Sequence, residues 1–322
     1  MILTVTLNPT LDKFYWVDDL PLSLDRPEEA ILIRSSRSLT SAGGKGINVS
    51  TFLACHGVET VALGFLAGHT GQIILQDLLA RGVTANFVWM PGENRTNITV
   101  IAKGREFHPL LIHEEGPPVS EEAMAIFLRK YERMLGRAEY VVLGGSLPPG
   151  CSSDCYRTLV QRAHRAGLRV IVHAGGEALV QAVAEGPFLV KPDVREELRL
   201  GDLPVRSVEE IVRAGQQVVK QGGQACLISH HITGDILVTR DGVWELEAPV
   251  PLTALKNLVG ADDALVGGLL VALSRGEGLL EAVRYGMAAA LATAEVEEKL
   301  CLDAGAIDRE FGHVTMREWG KR

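Results

Sequence analysis

From Tyr140 onward the chain alternates, with little interruption, between short apolar runs and longer amphipathic ones. Tyr140–Leu143, Arg169–Val172 and Phe188–Val190 read as strands, with helices at Ser153–Ala166 and Glu177–Ala184 between them. A capping box of Ser207 and Glu210 opens a helix that runs to Gln221 and leads to a strand at Ala225–Ser229. Ile2–Leu7 and Thr60–Gly64 carry the same pattern into the first part of the chain, with helices at Ile47–Cys55, Gln72–Arg81 and Ser120–Leu135. Apolar strands joined by helices long enough to cross over predict an α/β fold. In it a doubly wound, mainly parallel sheet is flanked by helices on both faces. Ile236–Thr239 and Val243–Glu247 add a hairpin around Asp241–Gly242, and Leu279–Glu298 reads as a final long helix.

Two segments break the alternation, at about 10–38 and 87–112. The first holds Pro21, Pro27 and alternating runs such as Ala30–Ile33; the second reads as strands at Phe87–Met90 and Asn97–Ala102. They predict a small second sheet, a lid, on one domain spanning 1–322, a length that can bury one large core. The net charge of −8 argues against nucleic acid or an anionic membrane as the main partner. It leaves room for a small phosphorylated ligand, because a local basic cluster overrules the global sign. No apolar run approaches the ~18 residues of a membrane helix, and MILTVTL enters a strand with no signal-like preamble. The five cysteines are odd in number and scattered, which suits reduced thiols. Together these predict a cytoplasmic protein.

In open α/β sheets ligands gather at the carboxyl ends of the strands. Asp12, Gly145 with Ser146, Lys191 with Asp193, and Ser229 all follow predicted strands. Singly, each also suits a turn or a surface charge. The stretch Ser41–Asn48, SAGGKGIN, lacks the spacing of a Walker A loop. Its Gly43, Gly44 and Gly46 allow a ligand close to the backbone, with Lys45 as a point charge and a helix start behind. In Val259–Leu270, VGADDALVGGLL, Gly260 and Ala261 leave backbone N–H groups bare at the positive end of an apolar helix, and Asp263 stands in its first turn. An anion hole beside a carboxylate suits phosphoryl transfer to a hydroxyl. The same acids equally suit ordinary capping of a helix, and this stretch alone does not choose.

Taken in order, TLNPTLD, SAGGKGINVS, NRTNI, GGSLPPG, VKPDVRE and VGADDALVGG resemble the ribokinase-like sugar kinases. Within them the combination is similar to the phosphofructokinase B branch of 1-phosphofructokinases and tagatose-6-phosphate kinases. The resemblance covers nearly the whole chain. It implies a ribokinase-like domain whose β-sheet lid closes over the sugar and forms a homodimer contact. It also implies an ATP- and Mg²⁺-dependent kinase that converts a ketohexose monophosphate to a bisphosphate: fructose 1-phosphate, tagatose 6-phosphate or fructose 6-phosphate. Carried over by residue, Asp12, Gly43, Gly44 and Asn48 meet the sugar, and Lys45, Arg95 and Ser146 meet its phosphate. Asp263 is the general base, with Gly260 and Ala261 forming the anion hole. Lys191, Asp193 and Glu196 lie toward the nucleotide phosphates and Mg²⁺, Glu196 acting on the metal indirectly, and Ser229 and Gly234 line the nucleotide loop.

The departures from the family pattern cluster on the nucleotide side. Asp262 and His231 replace glycines, Leu258 stands for a threonine, Ala264 for a small polar residue and His173 for an aspartate; near the lid His113 stands for an asparagine. An Asp262 carboxylate about 4 Å from the transferring phosphoryl would cost roughly 4 kcal/mol at an effective dielectric of 20. Pointing to solvent, it would cost only the backbone strain of losing glycine, ~1 kcal/mol. The pattern therefore also raises a second expectation, a sugar-phosphate-binding protein with weakened or lost kinase activity.

Overall fold

In a computed structural model of the protein the residues described are 1–20, 32–106, 108–194, 198–231 and 233–320. The chain runs through β1 (Ile2–Thr6), β2 (Thr10–Val17), β3 (Ser35–Gly43), α1 (Lys45–Cys55), β4 (Thr60–Ala67) and α2 (Gly68–Ala80). Short strands β5 (Thr84–Ala85) and β6 (Val88–Met90) precede β7 (Arg95–Ala102), β8 (Leu110–His113), α3 (Glu121–Leu135) and β9 (Tyr140–Gly144). Next come α4 (Cys155–Arg165), β10 (Arg169–His173), α5 (Gly176–Val183), β11 (Leu189–Val190), β12 (Arg199–Leu200) and β13 (Leu203–Pro204). The last third holds α6 (Val208–Gln221), β14 (Ala225–His231), β15 (Gly234–Thr239), β16 (Val243–Glu247), α7 (Ala261–Ser274), α8 (Leu279–Ala294), α9 (Ala304–Phe311) and β17 (Thr315–Glu318).

The main sheet runs β17-β16-β15-β14-β11-β10-β9-β1-β4-β5, with β6 also on β4. From β14 to β5 every pairing is parallel, whereas β15, β16 and β17 form an antiparallel edge. All five residues of β1 are buried, which is why its sequence does not alternate. Leu3 and Val5 pack on one side in the cluster with Phe127, Tyr131, Tyr156 and Leu159 of α3 and α4; Ile2 packs on the other with Phe52 of α1 and Leu269 of α7. The two clusters are the two cores of a doubly wound sheet.

Local chemistry sets the helix boundaries. The Ser120 hydroxyl accepts the Ala123 N–H at 3.2 Å, Glu121 and Glu122 stand in the first turn of α3, and Arg133 stands in the last. Ala123, Phe127, Tyr131 and Met134 then fall on one buried face. Burying Phe127 alone is worth about 1.5–3 kcal/mol. Helix α7 is different: from Asp263 to Leu273 every residue is buried, because it lies between α1 and α8.

The small sheet has the order β3-β2-β7-β8, with β2 and β7 parallel and the other pairs antiparallel. The run at Phe87–Met90, expected in this sheet, instead sends Val88–Met90 into the main sheet, paired with Phe65–Ala67 of β4. Part of the expected 10–38 segment, residues 21–31, lies outside the described residues. The long final helix stops at Ala294 rather than Glu298; α9 and the edge strand β17 follow it. The capping box is also rearranged. Ser207 Oγ accepts the Glu210 N–H, but the Glu210 carboxylate accepts from the Arg206 N–H, one residue further back. Among the described residues no helix is long and apolar enough to cross a membrane, and the five cysteines are free thiols.

Candidate active site

The carboxyl ends of β1, β9, β10 and β11, the start of α1 and the start of α7 converge, and the small sheet joins them there. Asp263, 6 % exposed, is the point where they meet. Asn48 of α1 donates from Nδ2 to its Oδ2 at 2.5 Å, and Nε2 of His173, the last residue of β10, lies 3.0 Å from its Oδ1. Burial pushes this carboxyl up. The His173 contact, the charge of Lys45 and the Asn48 bond outweigh that and hold it below the usual carboxylate range. At neutral pH the group is therefore an ionised carboxylate in a buried place.

Gly260 caps α7 with φ of 91°, a left-handed conformation that disfavours other residues. A Cβ there would also run into the Lys299 carbonyl oxygen. No side chain caps this helix start, so its first-turn donors remain for an anion. The Ala261 N–H, expected to be bare, reaches back to the Leu258 carbonyl at 3.3 Å.

Asp262 resolves the question raised by its sequence. Its Oδ1 takes Lys191 Nζ at 2.9 Å and lies 3.3 Å from Ser229 Oγ, so a cation answers its charge. Ser229 donates mainly to Asp235 Oδ1, at 2.6 Å. Nor is its backbone strained, since among the described non-glycine residues only Leu198 has positive φ. The expected strain is absent because the tight position of the turn is Gly260. Gly234 begins β15 across a tight hairpin from β14.

The register of the small sheet sets Ser41, Asp12, Asn97 and His113 in one row, each directly opposite the next. Directly opposed residues share a face. The buried Oδ1 of Asp12, Oγ of Ser41 and Oδ1 of Asn97 have no hydrogen-bond partner in the protein. Three clustered oxygens that accept hydrogen bonds fit a ligand rich in hydroxyl groups. Gly43 lies against this row, where a Cβ would collide with the Asp12 carboxylate. Beside it, Arg95 gives Nε to the Asn8 carbonyl and Nη1 to the Glu114 carbonyl, both at 3.2 Å. Both bonds go to neutral carbonyls, while the Asp12 and Glu114 carboxylates lie near enough to act on its charge. Asn8 also reaches Ser146 Oγ at 3.4 Å, tying Ser146 to the same corner.

Two features were not legible as site residues. Lys299, 6 % exposed, pairs with Asp12 and donates to the Ala42 carbonyl at 3.0 Å. It comes from the turn after α8, with no motif around it. Asn97 sits within NRTNI, where only the register shows that it stands beside Asp12. Lys45, expected near the sugar's phosphate, instead pairs with Asp193 at 2.8 Å, on the strand end assigned to the nucleotide. Gly44 precedes it as the cap of α1, with φ of 108°. Glu196 lies outside the described residues. Among the described residues no three His, Cys, Asp or Glu side chains converge on a metal site, so they supply no ready cage for Mg²⁺. A groove of about 670 Å³ lies at the opposite, amino ends of the strands, lined by Arg169, Phe188, Gln224 and Arg240 among others. It holds none of these residues; chemistry rather than volume locates the site.

Known proteins share this sequence family and fold. The family described as pfkB family carbohydrate kinase matches residues 13–301. A 1-phosphofructokinase of Bacillus subtilis is 36% identical over 298 residues, covering 92% of this chain and 94% of that one. The crystal structure of a possible 1-phosphofructokinase from Thermotoga maritima superposes with a TM-score of 0.88 at 32% identity, over 98% of this chain and 99% of that one. Phosphofructokinase-2 from Escherichia coli, solved with substrates and products, gives 0.83 at 27% identity, over 97% and 98%.

Proposed function

The chain belongs to the pfkB family of carbohydrate kinases, and we propose that within it this protein phosphorylates a hydroxyl of a ketohexose monophosphate, using ATP. It is a sugar-phosphate kinase. Fructose 1-phosphate is the first candidate substrate, because the relatives at 36% and 32% identity are named for it; tagatose 6-phosphate and fructose 6-phosphate follow. The observation that carries the reading is Asp263, a buried carboxylate at an uncapped helix start, with Asn48 donating to one oxygen and His173 Nε2 against the other.

In this reading the row of Asp12, Ser41 and Asn97 accepts sugar hydroxyls, and Arg95 with Ser146 receives the phosphate already on the sugar. Asp263 takes the proton of the acceptor hydroxyl as its oxygen bonds to the γ-phosphorus and the bond to ADP breaks. The start of α7 steadies the transferring oxygens, and Lys191 supplies positive charge on the nucleotide side. Mg²⁺ would supply positive charge that screens the nucleotide phosphates, on the side where Lys191 and Asp193 stand. Asp12 and Ser41 are buried, and the small sheet that carries them is proposed as the lid that closes over the sugar phosphate. Strand β8, an edge with no further strand beside it among the described residues, is proposed as the homodimer contact.

Asp263→Asn tests the base directly. It keeps the size of the side chain but not its charge, so turnover falls by about a hundred- to ten-thousand-fold, while circular dichroism and sugar-phosphate binding stay as in the parent. Unchanged turnover would remove Asp263 from the reaction.

A further inference from the structure

His173 ends β10 with its ring wholly buried. Both ring nitrogens face acceptors: Nδ1 lies 3.0 Å from the Lys191 carbonyl oxygen, and Nε2 3.0 Å from Asp263 Oδ1. A carbonyl oxygen never donates, and an ionised carboxylate only accepts. A neutral imidazole carries one N–H and satisfies one contact; only the imidazolium satisfies both. Three charged groups face the ring: Asp263 from α7, Lys45 from α1 and Lys191 from the end of β11. From β9 its neighbour is Gly144. Lys45 is paired with Asp193, and Lys191 with Asp262. Burial first, then Lys45, keep the ring below the ordinary imidazole range, against the pull of Asp263. It is therefore neutral near pH 7 and takes its second proton only in acid.

We propose that His173 is a positioning residue that sets the basicity of Asp263: neutral, it leaves the carboxylate able to take the hydroxyl proton, and protonated, it locks the carboxylate in an ion pair that is a poorer base. The proposal rests on Asp263 being the general base. Its sign is fixed: turnover is full above the ring's titration and falls as the pH drops through it, below about 6.5. Asp263 acting alone, held below the usual carboxylate range, would set its own limb at lower pH.

The test is kcat and kcat/KM from about pH 4.5 to 8 for the parent, His173→Asn and Asp263→Asn. Asparagine can still donate to Oδ1 but cannot ionise. The parent is expected to show an acid limb above that of a bare carboxylate. In His173→Asn that limb moves to lower pH, so on the acid side the variant retains more of its own plateau than the parent does. An identical limb in both overturns the proposal while leaving Asp263 as the base. Full activity in Asp263→Asn sinks the base itself, a separate failure. If His173→Asn does not fold, ring-nitrogen NMR of the parent and Asp263→Asn decides. The ring's titration is expected to move to lower pH without the carboxylate; an unmoved titration overturns the coupling.

Discussion

Lys191 has 1 % of its surface exposed, and a buried ammonium is costly unless something negative answers it. Asp262 answers it, so the acid that looks hostile to phosphoryl transfer in the sequence is neutralised by the cation next to it. The one-dimensional pattern showed the substitution but not its partner, because residues 191 and 262 meet only when β11 and α7 converge. The same limit hid Lys299, which reaches Asp12 from the far end of the chain. His173 and Asp263, in contrast, were both visible as positions, and only their contact was not. The pairing of Asp262 has a consequence for the nucleotide. Asp262→Gly releases Lys191 toward the phosphates, and the gain in melting temperature on adding ATP should exceed that of the parent. The unliganded variant should lose less than the about 3–5 kcal/mol of a fully buried pair, since a fifth of the Asp262 side chain is exposed. An equal or smaller ATP shift would mean that Lys191 does not serve the nucleotide.

Among the elements, α3, α6 and α7 were readable from their caps and apolar spacing, and they begin within a residue or so of where Ser120, Ser207 and Gly260 place them. Strand Val88–Met90 was assigned to the wrong sheet because an alternating tripeptide carries no information about its partner. The end of α8 was missed for a different reason: 295–298 continues the polar and apolar rhythm of a helix, yet the chain turns so that Lys299 can reach the small sheet. Strand β8 presents Leu110, Leu111 and Ile112 at 38–51 % exposure on an edge with no further strand beside it in the described sheet. Such an edge is a liability in a monomer and an asset at an interface. If β8 is the dimer contact, Leu111→Asp with Ile112→Asp gives a folded monomer by sedimentation equilibrium, because neither side chain supports the core. A mass unchanged from that of a dimeric parent, or a monomeric parent, would place the contact elsewhere or nowhere.

At the scale of the whole molecule, the alternation after Tyr140 was enough for the doubly wound sheet, since few architectures bury apolar strands on both faces. The antiparallel edge was half legible: the β15–β16 hairpin could be read, but β17, from the end of the chain, could not. The layout that matters for function is the meeting of the small sheet, with the unpartnered oxygens of Asp12, Ser41 and Asn97, and the start of α7, with Asp263 as the proposed base. That division suits a kinase acting on a phosphorylated sugar. The most direct test is release of ADP from ATP and Mg²⁺ with fructose 1-phosphate, fructose 6-phosphate and tagatose 6-phosphate, alongside thermal shift with each sugar phosphate. Turnover is expected with one of the three, fructose 1-phosphate first. Stabilisation by a sugar phosphate with no ADP release from any of them would contradict it.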